Sequence, residues 1–532
     1  MAENITKHFT ATDNNTNAKN ELEKSLDQFF LIIMGIIVLM MQCGFAFLEA
    51  GSVRSKNTTN LLMKNMLDSF VAGIAYWTLG FAFAHGEGNS FMGWEYFASS
   101  SLPNSRLAFF FFHYVFAATA ATIVSGALAE RCEMLAYFVY SFVITAFVYP
   151  VVTHWVWHPD GWLRAGLTFE VNNMTLNISF HDFSGGCAIH CLGGTAAFFG
   201  ALFLGPRIGR FHEESKTVLQ VRGHSLPFTA LGGFILLFGF LAFNAGSQSS
   251  LSKPGDGTAM SVIVVNTVIA GSTSGFVTLL VHRIGILGRT WSLLSTMNGA
   301  LSGMVAVCSG CNVYRPWAAP IVGAFAGVSF NLISWLMCRF KIDDPVDAVA
   351  VHFGGGVWGV LAVAFLKYES GILMSWNMLS ALLLAWQLVG LISIVAWTAA
   401  MSSLVFGTLK LTGTFRVSAD MEIKGLDIPK HGEPAYPLES YGHGYTENIT
   451  TVMDDGQLSS THIGNQNGTV PDGKDVGPYE SPEVKVMNNH ADHHRDAMTA
   501  ETTVVLYSFS KDQQTGGQVN SALVDYDEST AL

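Results

Sequence analysis

Two stretches of this chain repeat one pattern. Asp182 is followed eight positions on by His190, then by Gly193 and Gly194. Asp344 is followed eight positions on by His352, then by Gly354, Gly355 and Gly356. Both histidines lie inside apolar runs. Imidazole titrates near neutral pH, so it can give, take or share a proton. In an apolar interior it is costly unless it has a partner or a wetted cavity. Two arrangements meet that demand: the imidazoles share a proton and line a narrow pathway, or each bonds separately to a neighbouring helix. Their matched settings favour the pair. A metal site would need further ligands, and no Cys or carboxylate stands at matching depth, so neither metal nor cofactor is expected. An enzyme would need a nucleophile or metal set beside the histidines, and none is placed there.

Other polar groups surround the pattern. Asp182 precedes its apolar run and can cap the helix or draw cations to an entrance. Asp343, Asp344 and Asp347 precede the other run and read as caps and loop anchors. Glu49 lies near the end of the first apolar run, within reach of an interface, and its role is open. Aromatic residues cluster at Phe109–Phe112, Tyr114, Phe116, Trp155, Trp157 and Phe243. Trp155 reads as part of an interfacial aromatic belt. Cys308 and Cys311 form a lone C-x-x-C, read as small-residue packing rather than redox chemistry.

The elements that hold these residues are membrane helices. Of 532 residues, 50% are hydrophobic and 13% charged, against about 25% charged in soluble chains. The net charge of -12 says little about partners, since many acids lie in the C-terminal tail. No basic run suggests nucleic acid. The run Phe29–Leu48 is too long for a signal-peptide core and reads as a retained first span. Eleven spans are expected, near 28–51, 66–86, 108–129, 134–157, 184–204, 227–247, 261–282, 288–310, 317–338, 346–366 and 379–408. The chain thus divides into an N-terminal segment (1–27), a transmembrane domain (28–410), a further segment (411–439) and a polar tail (440–532) read as disordered. The distal His490, His493 and His494 read as solvated tail.

The Asp-x7-His patterns fall in spans five and ten. Leu48-Glu49-Ala50-Gly51-Ser52 in span one is echoed by Phe243-Asn244-Ala245-Gly246-Ser247 in span six. Spans 1–5 and 6–10 are therefore two copies, and because five is odd the second is inverted. The fold class is all-α and polytopic: eleven helices, an inverted 5+5 repeat plus one. Transporters are often built so, with the substrate site between the repeats. Sequons at Asn4, Asn14, Asn173 and Asn177 flank an even number of spans, so all four can face outside. With that orientation the inner loops carry twelve Lys and Arg and the outer loops five, Arg106, Arg164, Lys253, Arg315 and Lys367. Positive-inside bias agrees: N-terminus outside, C-terminus in the cytoplasm.

Several segments carry a family likeness: Phe112-His113-Tyr114-Val115-Phe116-Ala117, Ala127-Leu128-Ala129-Glu130-Arg131, His181-Asp182-Phe183-Ser184-Gly185-Gly186, Ala242-Phe243-Asn244-Ala245-Gly246-Ser247, Asn298-Gly299-Ala300-Leu301 and Asp343-Asp344-Pro345-Val346-Asp347. Over about residues 28–436 the chain resembles the ammonium transporter (Amt/MEP/Rh) family. Ala50-Gly51-Ser52-Val53-Arg54-Ser55-Lys56-Asn57 resembles its eukaryotic Amt branch. The resemblance implies a plasma-membrane homotrimer with one pore per subunit and ammonium or ammonia as substrate. It implies that Trp157 and Ser247 recruit ammonium outside, with Phe112 as a further wall and Asp182 as the acidic residue nearby. It implies that Phe116 and Phe243 are the stacked gate and that His190 and His352 are the histidine pair below it. Net ammonium transport, neutral gas conduction and ammonium sensing all remain compatible with these residues. Two departures stand out. His113 occupies a position where many relatives carry Gln. Pro429, in the regulatory-like segment Leu426-Asp427-Ile428-Pro429-Lys430-His431-Gly432, stands where plant relatives carry a phosphorylatable Thr.

The topology makes a direct prediction. Glycan is expected on Asn4, Asn14, Asn173 or Asn177 and not on Asn57, Asn448 or Asn467. Mass spectrometry of the protein before and after endoglycosidase reads this, and a glycan on Asn448 or Asn467 contradicts the eleven-span count.

Overall fold

The structure, a computed structural model, describes residues 2–171, 174–211, 218–284, 289–437, 441, 450–452 and 458–460. The distal histidines and Asn173 lie outside the described residues. The first helix, α1, is Ala2–Ser52. It is followed by α2 (Ser55–His85), α3 (Asn104–Ala127), α4 (Met134–Ala165), α5 (Gly186–Leu204), α6 (Leu226–Gly246) and α7 (Asp256–Arg283). Then come the shorter apolar α8 (Leu293–Cys308) and α9 (Ala319–Arg339), α10 (Val349–Leu366) and α11 (Met378–Leu411). Ten of these, among the described residues, are long and apolar enough to cross a membrane, and α8 supplies the eleventh expected segment.

The repeat is visible in the packing. Helix α1 lies along α6, its counterpart in the other copy. The start of α5 packs on α10, and the start of α10 packs on α5. These two central helices are the most enclosed, and α11 covers both from outside. Large apolar side chains such as Phe234, Phe276 and Ile392 face outward. A helix satisfies its own backbone polar groups, which is what allows such faces to meet lipid.

Several helices extend beyond the spans expected from hydropathy. Helix α1 begins at Ala2 rather than near residue 28; residues 2–27 contain no Pro or Gly to stop it. Helix α2 begins at Ser55 rather than 66. Its charged Lys64 and Asp68 depress hydropathy, yet both are buried. Lys64 Nζ donates to the Cys132 carbonyl at 2.8 Å, and Asp68 accepts from Tyr137 Oη at 2.6 Å and Ser141 Oγ at 2.8 Å. Within this all-α fold the loop after α4 carries a short hairpin: β1 (Leu167–Val171) pairs antiparallel with β2 (Met174–Ile178). Two strand-like runs separated by Asn172-Asn173 are a hairpin signal that hydropathy alone overlooks. A second short pair, β3 (Thr450–Val452) with β4 (Leu458–Ser460), lies in the tail, most of which is outside the described residues.

Loops from both copies meet in a buried ion network. Arg207 donates from Nε to Asp343 at 2.8 Å and from Nη1 to Glu130 at 3.2 Å. Arg54 joins Glu130 at 3.0 Å and Arg210 joins Asp343 at 3.3 Å. Burial alone would raise the Glu130 pKa, but Arg207 and Arg54 outweigh it and hold the carboxyl low. Asp343 is likewise held low against burial, chiefly by Arg207 and Arg131. So Asp343 is an ion-paired anchor, while Asp344 is the cap of the expected trio and Asp347 bonds Ser334 Oγ at 2.8 Å.

The segment after α11 straps onto these same loops. A short helix, α12 (Ala419–Lys424), places Glu422 to accept from the Ile208 N–H at 2.7 Å. Leu426 N–H donates to Asn57 Oδ1 at 3.0 Å, and Asn60 N–H donates to Asp427 Oδ1 at 2.9 Å. Asn57 is therefore buried and engaged, an unsuitable glycan acceptor, whereas Asn177 in β2 is exposed.

Removing one charge from the network exposes its role. Glu130→Gln leaves buried Arg207 with one carboxylate where it had two and is expected to cost about 3–5 kcal/mol. Because the folded-state pKa values of Glu130 and Asp343 are depressed, their contribution is present above about pH 4 and is lost as pH falls below it. Thermal unfolding in detergent reads both; a variant melting like the wild type contradicts this account.

Candidate functional site

Each histidine is carried by a widened first turn. Helix α5 opens with the π-turn Gly186–Cys191 and α10 with the π-turn Val349–Gly354. The preceding aspartates hold both turns. Asp182 Oδ2 accepts from the N–H groups of Cys187 at 2.9 Å and Ala188 at 2.8 Å. Asp344 Oδ2 accepts from the Val349 N–H at 2.7 Å. Each carboxylate thus satisfies donors that a helix start leaves unpaired. That is why Asp stands eight residues before His in both copies. Burial raises the pKa of Asp182, opposed by its backbone N–H donors and Ser309. Burial also raises Asp344, to about 7.

Glycines let the two turns meet. A Cβ at Gly194 would collide with the Phe353 backbone, and one at Gly356 with the Gly186 carbonyl. The crossing this permits brings His190 Nδ1 to 3.1 Å from His352 Nδ1. The ring planes are nearly parallel, at 8°. Both are buried. Two Nδ1 atoms at hydrogen-bond distance cannot both carry a proton, nor both lack one. The neutral pair therefore holds complementary tautomers: one Nε2 is a bare acceptor and the other carries a proton. His190 Nε2 has no partner within the described residues.

Aromatic rings stand over the pair. Phe243 lies 5.4 Å from His190 by ring centroid. Phe116 stacks on Phe243 at 4.2 Å and 17°. Beyond Phe116 opens a cavity of about 620 Å³, whose walls include Phe112, Trp157, Asp182 and Ser247. Trp157 Nε1 donates to the Asp182 carbonyl at 2.8 Å, fixing the indole at the cavity wall. Ser247 Oγ donates to the Phe243 carbonyl at 2.9 Å, leaving its oxygen lone pairs toward the cavity it lines. All eight expected site residues thus fall on one line: cavity, phenyl pair, histidine pair. Asp182 lines that cavity while its carboxylate engages the α5 backbone.

Three further residues border the line. His113 is in the cavity wall, 6.0 Å from Trp157 by ring centroid. His85, unmarked by sequence, sits 4.3 Å from His113. The loop after α2 faces the same side as the start of α3, and that parity was the available signal. Glu49, also unassigned, is buried among α1, α2 and α3, accepting at Oε2 from Asn65 Nδ2 and Ser125 Oγ, each at 2.8 Å. Trp155 departs from its expected place in an interfacial belt. It is buried, donates to the Phe91 carbonyl at 2.9 Å and packs against Trp397 of α11. Cys308 and Cys311 are buried free thiols.

Comparison with known proteins places the chain by sequence and by fold. The model of the Ammonium Transporter Family matches residues 28–436. A Caenorhabditis elegans relative is 46% identical over 439 residues, covering 79% of this chain and 81% of its own length. Ammonium transporter 1 member 3 of Solanum lycopersicum is 38% identical over 435 residues, covering 77% of this chain and 93% of its own. Among solved structures, a protein described as "Sensor Amt Protein" superposes with a TM-score of 0.70 at 29% identity, covering 77% of this chain and 100% of that one. From its sequence and from its fold, this chain belongs to the ammonium transporter family.

Proposed function

We propose that this chain takes up ammonium across the plasma membrane, with its N-terminus outside and its C-terminus in the cytoplasm. The cation is recruited in the vestibule, where the Trp157 and Phe112 faces attract it and Ser247 accepts an N–H bond. It loses a proton there, and ammonia passes the Phe116–Phe243 pair to the histidines. The proton follows along His190 and His352, so transport is electrogenic. The subunits assemble as a homotrimer, each with its own pore.

One observation carries this reading: a hydrogen-bonded imidazole pair directly beneath stacked phenyl rings. Potassium is nearly the size of ammonium, so size cannot discriminate between them. Moving a bare ion into a low-dielectric interior costs on the order of 20 kcal/mol in the idealised limit. Deprotonating ammonium near neutral pH costs only about a few kcal/mol, at roughly 1.4 kcal/mol per pKa unit. Deprotonation is therefore the easier route, and potassium cannot take it. Complementary tautomers then offer ammonia one acceptor and one donor.

A second reading is sensing, in which pore occupancy is read by the C-terminal segment. It is favoured by the strap from α12 to Asp427 across the segments that follow α1 and α5, and by the likeness to a solved protein described as a sensor. Rescue of ammonium-starved cells discriminates: growth without current or tracer flux points to sensing or, with flux alone, to neutral gas conduction.

Methylammonium uptake under voltage clamp tests the main reading. In the His190→Ala plus His352→Ala variant, methylammonium current is expected to fall about a hundredfold, the size of effect typical when a proton-transfer group is lost. Unchanged conduction and selectivity against potassium in that variant contradict the histidine pathway.

A further inference from the structure

Beyond His352, on the side away from the phenyl pair, lies a second cavity. Its volume is about 30 Å³. Phe45, Leu236 and Phe240 contribute apolar walls, and the polar groups reaching it are His352, Asn298 and Glu49. A water needs roughly 10–15 Å³ of such space and two or more polar partners. There is room here for one or two. The two titratable groups lining this cavity are an imidazole and a carboxyl.

Each has a face left over for that cavity. His352 uses Nδ1 on His190, which leaves Nε2. Glu49 uses Oε2 on Asn65 and Ser125, and Oε1 receives no hydrogen bond from the described residues. The internal repeat offers a control within the chain. Glu49 aligns with Asn244 in the echoed motif. There a neutral amide meets the structural need, donating from Nδ2 to Thr267 Oγ1 at 3.0 Å. Two hydrogen bonds to one oxygen do not require a buried carboxyl either, since a glutamine amide oxygen accepts them equally well.

We infer that Glu49 is the proton acceptor beyond the histidine pair. This rests on the electrogenic reading above. When His352 is an imidazolium, its Nε2–H proton passes to a water in the cavity, and that water passes one of its own protons to Glu49 Oε1. Imidazolium becomes imidazole and carboxylate becomes carboxylic acid, so one positive charge moves on and no atom is lost. Glu49 then releases the proton toward the face where α1 ends. Among the described residues, the charged and titratable groups around it are Lys64 and Asp68 on α2, Tyr137 and Tyr140 on α4, and His352 on α10; α3 and α8 present the neutral Ser125 and Asn298, and α6 presents Leu236 and Phe240.

The test is the charge moved per methylammonium, from current and radiolabelled uptake in the same cells, on the full-length protein. Glu49→Gln keeps the shape and the Asn65 and Ser125 bonds but cannot take the proton. Its charge-to-tracer ratio is expected to fall at least about tenfold, and Glu49→Asp, which restores a carboxyl, is expected to recover part of it. A Glu49→Gln ratio equal to wild type overturns the assignment to Glu49 while leaving the histidine relay standing. Current and tracer lost in equal proportion, at normal surface amount, also overturn it and assign Glu49 to structure alone. A wild type that moves no charge with methylammonium overturns the relay itself, and Glu49's part with it.

Discussion

Everything in the core of this protein follows from burying two imidazoles where no bulk water reaches. Each needs a partner, and here each is the other's, at 3.1 Å. That bond demands that α5 and α10 cross at backbone contact, hence Gly194 and Gly356. It demands that both helix starts be wound to aim their histidines at one point, hence the paired π-turns and the aspartate that caps each. Two copies of one pattern, inverted, place both requirements on the same axis. The phenyl pair follows from the same constraint, since bulk water at the pair would supply alternative partners and dissolve the shared bond.

The opposite demand is met in the loops. Inverted copies need something besides the central crossing to hold them in register. The Arg207–Glu130 and Arg207–Asp343 bridges do this, joining one copy's loop to the other's. The segment after α11 binds the same loops through Glu422 and Asp427. Any change in that strap therefore acts on the loops that hold the two copies in register. This is the physical link that a regulatory or sensing role would use.

Much of the site was legible because inverted repetition doubles a weak signal. One buried histidine says little, but Asp-x7-His twice, with glycines after each, specifies a pair. Span number and order were legible from hydropathy and loop charge. Helix ends were less so. Lys64 and Asp68 lowered the apparent hydropathy of α2 although tertiary partners neutralise their cost. Trp155 looked interfacial because its burial depends on α11, far along the chain. The β1–β2 hairpin was not legible because it is short and lies in a loop between two strongly apolar spans. Glu49 and His85 were illegible in role, because what defines each is a cavity wall shared with residues from other spans.

The central claim is that the substrate loses a proton before it passes the histidine pair. Comparing wild-type ammonium current in H2O with that in D2O tests it most directly. If an N–H bond breaks and the proton is relayed, the current in D2O falls by more than solvent viscosity explains. Currents that differ by the viscosity ratio alone would show the intact cation crossing, and would contradict the account.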